Sequence, residues 1–245
     1  MPTKINRLSP FEVANNAMLP TTKKRANLAE VETPEVFWNY DPVHAALPKL
    51  LLSAGRLFSW DLPSGDDEAL IQNVERLCKS GPAQAENCTS VARAVIDWRN
   101  ATGARGVLLE PAPIPYRNSA ATLQFTESVS VVVNGQQYLI YFDYRSQMNL
   151  NRSGIAVVQS LIWHTNKIAE RRNAKIAILR TPRVAKGKRK AVFDVLDGTP
   201  LLTLDELDRQ ISEVFSIWEI IQMARRTEES DGKKFKDGLF GDRQP

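Results

Sequence analysis

Two cysteines, Cys78 and Cys88, and two histidines, His44 and His164, are all that 245 residues offer of the side chains that most often bind zinc or serve as nucleophile and base. A zinc hydrolase or a cysteine protease has too little to build on. Two cysteines cannot form a disulfide framework, although a turn between them would let the pair meet. No stretch of about 18 apolar residues occurs, which leaves no membrane-spanning helix. Residues 1–20 lack the apolar run of a secretory leader. No glycine-rich phosphate loop appears, so nucleotide-hydrolysing and dinucleotide-binding folds find no anchor. A cytoplasmic protein without membrane contact is the expectation.

What is present suits a globular protein. Hydrophobic residues make up 43% of the chain, enough for a real core and too many for disorder along its whole length. The net charge is +4 and the pI about 9.1, mildly basic and compatible with nucleic acid. The basic residues are unevenly placed, which says more than their total.

Residues 1–40 are polar, interrupted by Pro10, Pro20 and Pro34, and carry Lys23-Lys24-Arg25. They read as an extended N-terminal arm, with Phe11 and the Phe37-Trp38-Asn39-Tyr40 cluster as its large aromatic anchors. Such an arm packs loosely on its own domain or docks on a protein partner. Residues 41–226 read as a single α/β domain. Helical spacing marks His44, Ala45, Leu47, Leu50 and Leu51, then Leu70, Ile71, Val74, Leu77 and Cys78, then Val91, Val95 and Trp98 with Gly103 as a stop. Thr203 with Glu206 forms a capping-box pattern ahead of a last helix, whose stripe of Leu204, Leu207, Ile211, Val214, Phe215, Trp218 and Ile221 is core. Residues 227–245 are charged, without apolar periodicity, and read as a disordered tail.

The centre of the chain is more specific. Asn134-Gly135 separates two β-rich runs and is a strong hairpin signal, pairing 129–133 with 136–141. A helix over Ile155 to Arg172 follows, then an apolar strand over Lys175 to Leu179. A helix of that length can cross over and lay the strand parallel to a neighbour. With strand candidates at 106–110 and 190–195, the expectation is a mixed central sheet of about four to five strands flanked by helices.

Alternation along the second hairpin strand puts Asp143 and Arg145 on one face, with Glu127 on the partner strand before the turn. A carboxylate from each strand and a cation two residues on suit a divalent metal and a charged phosphoryl group. Asp143 and Arg145 also fit an ordinary same-face salt bridge. Glu127, then Asp143-Tyr144-Arg145, then Gln159-Ser160-Leu161-Ile162-Trp163 resembles the PD-(D/E)XK nuclease superfamily, in its RecB-like branch. The resemblance covers roughly residues 66–196 in element order and rests on few side chains. It implies a restriction-endonuclease-like core, with Glu127 and Asp143 holding Mg²⁺, Arg145 stabilising charge and Gln159 orienting the site. Three positions depart from the pattern. Arg145 replaces a lysine and cannot accept a proton, Glu127 lacks the preceding proline, and Trp163 replaces a tyrosine.

Arg183, Lys186, Lys188, Arg189 and Lys190 form a basic loop after the apolar strand. Such a loop suits phosphate-backbone contacts or a plain solvated turn. The sequence therefore leads to a nucleic-acid-associated protein with a nuclease-like, Mg²⁺-dependent core. The alternatives are a non-catalytic subunit binding nucleic acid or a protein partner, and a structural protein of a larger assembly.

Overall fold

Asn134 and Gly135 both take positive φ, 49° and 77°, as the tight hairpin turn requires. Around that turn the chain builds a sheet with helices on both faces. The computed structural model describes residues 8–31, 40–52, 67–119, 122–145, 150–197 and 201–240, with side chains as far as residue 227. In chain order its elements are helices α1 (Pro10–Ala17), α2 (Thr21–Glu30), α3 (Asp41–Leu51), α4 (Asp67–Leu77) and α5 (Pro82–Thr102), then strands β1 (Arg105–Leu108), β2 (Tyr116–Arg117), β3 (Thr122–Leu123), β4 (Val129–Val133) and β5 (Gln136–Asp143). Helix α6 (Arg152–Asn166) and a 3₁₀ turn at Ala169–Arg171 lead to β6 (Lys175–Arg180), β7 (Arg183–Ala185), β8 (Lys188–Arg189), β9 (Val192–Val195) and α7 (Leu204–Phe240).

The main sheet has the order β1-β4-β5-β6-β9. Strand β5 pairs antiparallel with β4, Val131 opposite Tyr138 and Val133 opposite Gln136. It pairs parallel with β6, Leu139 opposite Ile176 and Asp143 opposite Arg180. Helix α6 makes the crossover that this parallel pair demands. The mixed α/β expectation holds, with five strands.

Pleat alternation sorts the core into two layers. Leu139, Ile176 and Ile178 face α1, α6 and α7, against Phe11, Val158, Leu161, Ile211 and Trp218. Val131, Ile140, Phe142, Ala177 and Leu179 face α3, α4 and α5, against Leu47, Leu50, Val74, Val91 and Val95. Cys78 and Cys88 are both reduced. Burial raises both thiols, that of Cys88 to about 12, so neither is a ready nucleophile.

The ends of the chain differ from expectation. Residues 10–30, within the expected arm, form α1 and α2, and Phe11, Val13, Ala14, Ala17 and Leu28 are core residues. Two of the prolines start helices instead of breaking structure. Pro10 sits in the first helical position, behind a Ser9–Glu12 capping box, and Pro20 immediately precedes α2. The anchors Phe37, Trp38 and Asn39 lie outside the described residues. Tyr40 packs on Tyr144. Helix α7 continues to Phe240 through most of the stretch expected to be a disordered tail. Its Glu and Lys residues are good helix formers even without an apolar stripe. Residues 241–245 lie outside the described residues.

Candidate functional site

Strand β5 ends at Asp143, and the helices on the two faces of the sheet part at that end. The gap is a cleft of about 230 Å³. Helix α1 contributes Phe11, with Ser9 just ahead of it. Helix α3 contributes His44. The segment before β4 contributes Thr126 and Glu127, and the end of β5 contributes Tyr141, Asp143, Tyr144 and Arg145. Three of the four residues expected to form a site, Glu127, Asp143 and Arg145, therefore do meet.

Their environment is not the expected one. Asp143 is 3% exposed. Among the described residues its Oδ1 accepts a single bond, from the backbone N–H of Arg145 at 3.2 Å. Burial raises its carboxyl above the ordinary range, only partly opposed by that bond and by the more distant Arg145, Arg180 and Arg189 guanidinium groups. Those three cations are committed elsewhere. The Arg145 guanidinium lies 3.5 Å from the Phe11 ring centroid, and its Nη2 donates to Ser9 Oγ at 2.8 Å. Arg180 pairs with Asp194. Arg189 donates from Nη1 to the carbonyls of Tyr144 at 2.5 Å and Thr181 at 3.0 Å, and from Nη2 to the Tyr40 hydroxyl at 2.7 Å. Among the described residues no cation lies within 4 Å of the Asp143 carboxylate, so the expected same-face salt bridge with Arg145 does not form. Glu127 has its Oε1 3.6 Å from His44 Nδ1.

Gln159 is not part of the cleft. It lies buried on α6, where its Nε2 donates to the carbonyl of Leu196 at 3.0 Å and its Oε1 has no partner. It ties α6 to the chain just after β9.

The basic loop is a small hairpin, β7 on β8. Its five basic residues separate. Arg189 is 9% exposed and holds main-chain carbonyls, as above. Arg183 donates to Asn87 Oδ1 at 3.1 Å. Lys186, Lys188 and Lys190 are exposed.

Sequence reasoning missed Ser9, Phe11, His44 and Thr126 as cleft residues. Phe11 and His44 reach the cleft from elements more than eighty residues before Asp143, and spacing within one strand cannot report that. A signal did exist for α1, the Ser9-Pro10-Phe11-Glu12 helix start, which brings Phe11 to Arg145.

The architecture so far is a three-layered α/β domain with a polar-bottomed cleft at the end of its central strand. A protein-family model described as sliding clamp-binding bacterial toxin SocB matches residues 11–228. That span takes in helices on both faces and every strand, and the chain belongs to the SocB family. No curated protein matches the chain.

This membership overturns the nuclease resemblance. The chain is not placed in the PD-(D/E)XK superfamily, and a restriction-endonuclease-like core finds no support beyond the mixed sheet itself. The nuclease, magnesium and DNA-binding expectations fall with it. The geometry gives physical reasons. Gln159 points away from the cleft, Arg145 is spent on Phe11 and Ser9, and Asp143 is a desolvated carboxyl with a raised pKa. Among the described residues no group of three or more His, Cys, Asp or Glu side chains is placed to hold a metal ion, and Asp143, the carboxyl the resemblance assigns to Mg²⁺, is desolvated with its pKa raised. No helix among the described residues is long and apolar enough to cross a membrane.

Proposed function

We propose that this protein acts by binding another protein, and that the partner is the bacterial sliding clamp. The single observation that carries this is the family match over residues 11–228, which extends across the whole three-layered domain. The chemistry of the cleft agrees with a binding role. Its cations are already engaged within the fold, and its two carboxylates lack the company that phosphodiester cleavage would need. A protein-binding subunit, the alternative to catalysis that the sequence left open, is thus the reading adopted.

The test is co-elution. The purified protein is mixed with the purified sliding clamp of the same bacterium and run on size-exclusion chromatography with light scattering. The expected result is a peak whose mass is the sum of both components. Separate elution at micromolar concentrations of both would reject the clamp as partner.

A further inference from the structure

We propose that the cleft at the end of β5 is a binding site for a cationic group, the guanidinium or ammonium head of a basic side chain or of a small amine. Three observations on independent side chains point there.

The first is Asp143. A carboxylate has two oxygens and about four acceptor positions. Here it is almost wholly buried, holds one backbone N–H, and has no cation within 4 Å among the described residues. Buried carboxylates are ordinarily paired or fully hydrogen-bonded. The second is Thr126. It is 2% exposed, it lines the cleft, and its Oγ1 has no hydrogen-bond partner among the described residues. Its main chain is held by Gln124, whose Nε2 donates to the Thr126 carbonyl at 2.5 Å. An unpartnered hydroxyl lining the same cleft as an underbonded carboxylate supplies a second acceptor for N–H donors.

The third is the wall. Tyr141, Phe142 and Tyr144 line the same cleft, and aromatic rings attract cations through their quadrupole. The cleft itself already shows the arrangement, in the Arg145 guanidinium laid on Phe11. With that arginine committed, the cleft keeps two carboxyl groups, Asp143 and Glu127, the latter with His44 Nδ1 3.6 Å away. An anionic ligand would meet both carboxylates and is disfavoured. A volume of about 230 Å³ has room for one basic side chain.

The cationic head would come from a residue of a partner protein or from a free amine; the cleft chemistry is common to both. This inference does not depend on the clamp being the partner. The full-length protein is titrated with N-acetylarginine methylamide, and in parallel with N-acetylcitrulline methylamide, which has the same shape without the charge. Binding is read by NMR from the ring signals of His44. Saturable binding of the arginine probe is expected at roughly millimolar affinity, the range open to so small a ligand. The citrulline probe should bind at least about tenfold more weakly, since a charge-assisted bond is lost. Asp143→Asn and, separately, Thr126→Val should each weaken the arginine probe, with thermal melts showing that both variants stay folded. A linear, unsaturated drift with both probes, or equal binding of the two, overturns the proposal. So does wild-type affinity in a folded Asp143→Asn variant. The same variant tested against the clamp then separates the sources. A weakened clamp complex assigns the cation to the partner, and an unchanged complex with lost probe binding assigns it to a free amine.

Discussion

At the scale of single residues, Asp143 and Arg189 carry opposite consequences. Burial has raised the Asp143 carboxyl. A group with a raised folded-state pKa adds stability below its unfolded pKa and loses that contribution as the pH rises through its folded value. At neutral pH Asp143 is therefore a liability to the unliganded fold. Asp143→Asn should raise the melting temperature at pH 7, and the gain should shrink as the pH falls toward the ordinary carboxylate range. Thermal melts across that range check it, and a variant melting lower than wild type at pH 7 would show that the charge is compensated. Arg189 behaves the other way. It satisfies two carbonyls and the Tyr40 hydroxyl from a buried position. Arg189→Ala should cost about 2–4 kcal/mol, because buried acceptors lose charged donors. Lys186→Ala, on the exposed turn of the same hairpin, should stay within about 0.5 kcal/mol. Urea denaturation of both variants distinguishes a structural arginine from a solvated basic loop.

At the scale of elements, α1 is a structural part of the domain. Gly154 on α6 shows how closely the two helices meet. A Cβ added there would lie 2.5 Å from Asn15 Oδ1 and 3.2 Å from Leu150 Cδ2. That Asn15 oxygen also accepts from the Asn151 backbone N–H at 2.9 Å, beside the start of α6. Gly154→Ala should therefore push α1 from α6 and cost about 1–3 kcal/mol, as overpacking does. Deleting residues 1–31 should lower stability far more, since it removes Phe11, Val13, Ala14, Ala17 and Leu28 from the core. A truncated protein that melts like the full chain would contradict this. The elements legible in the sequence are those set by local rules. The Asn134-Gly135 turn, the Gly103 stop in left-handed conformation and the Thr203–Glu206 capping box all appear as read. Helices α1 and α2 were not legible from composition. Most of their polar residues face outward, but Asn16 and Lys24 are buried, Lys24 against Gln210 and Glu213 of α7, and these residues and the few apolar ones gain meaning only against α6 and α7. The fate of Gln159 was hidden for a related reason. Helical spacing reports a face of α6, whereas the Leu196 carbonyl it meets comes from the segment just after β9, 37 residues later.

At the scale of the whole molecule, Glu127, Asp143 and Arg145 converge as their strand pattern suggests, yet convergence did not make them a nuclease site. Charge, burial and commitment of each side chain decide what a cleft can do, and strand spacing reports none of these. Membership of the SocB family supplies what the pattern lacked, a reading in which the domain works as a binding surface. The most direct measurement of the proposed binding is a calorimetric titration of this protein into the bacterial sliding clamp, in buffer containing EDTA and again with Mg²⁺. Saturable binding with the same affinity in both buffers is the expected result, because no group of three or more His, Cys, Asp or Glu side chains among the described residues is placed to hold a metal ion. No binding heat in either buffer, or binding that appears with Mg²⁺ alone, would contradict it.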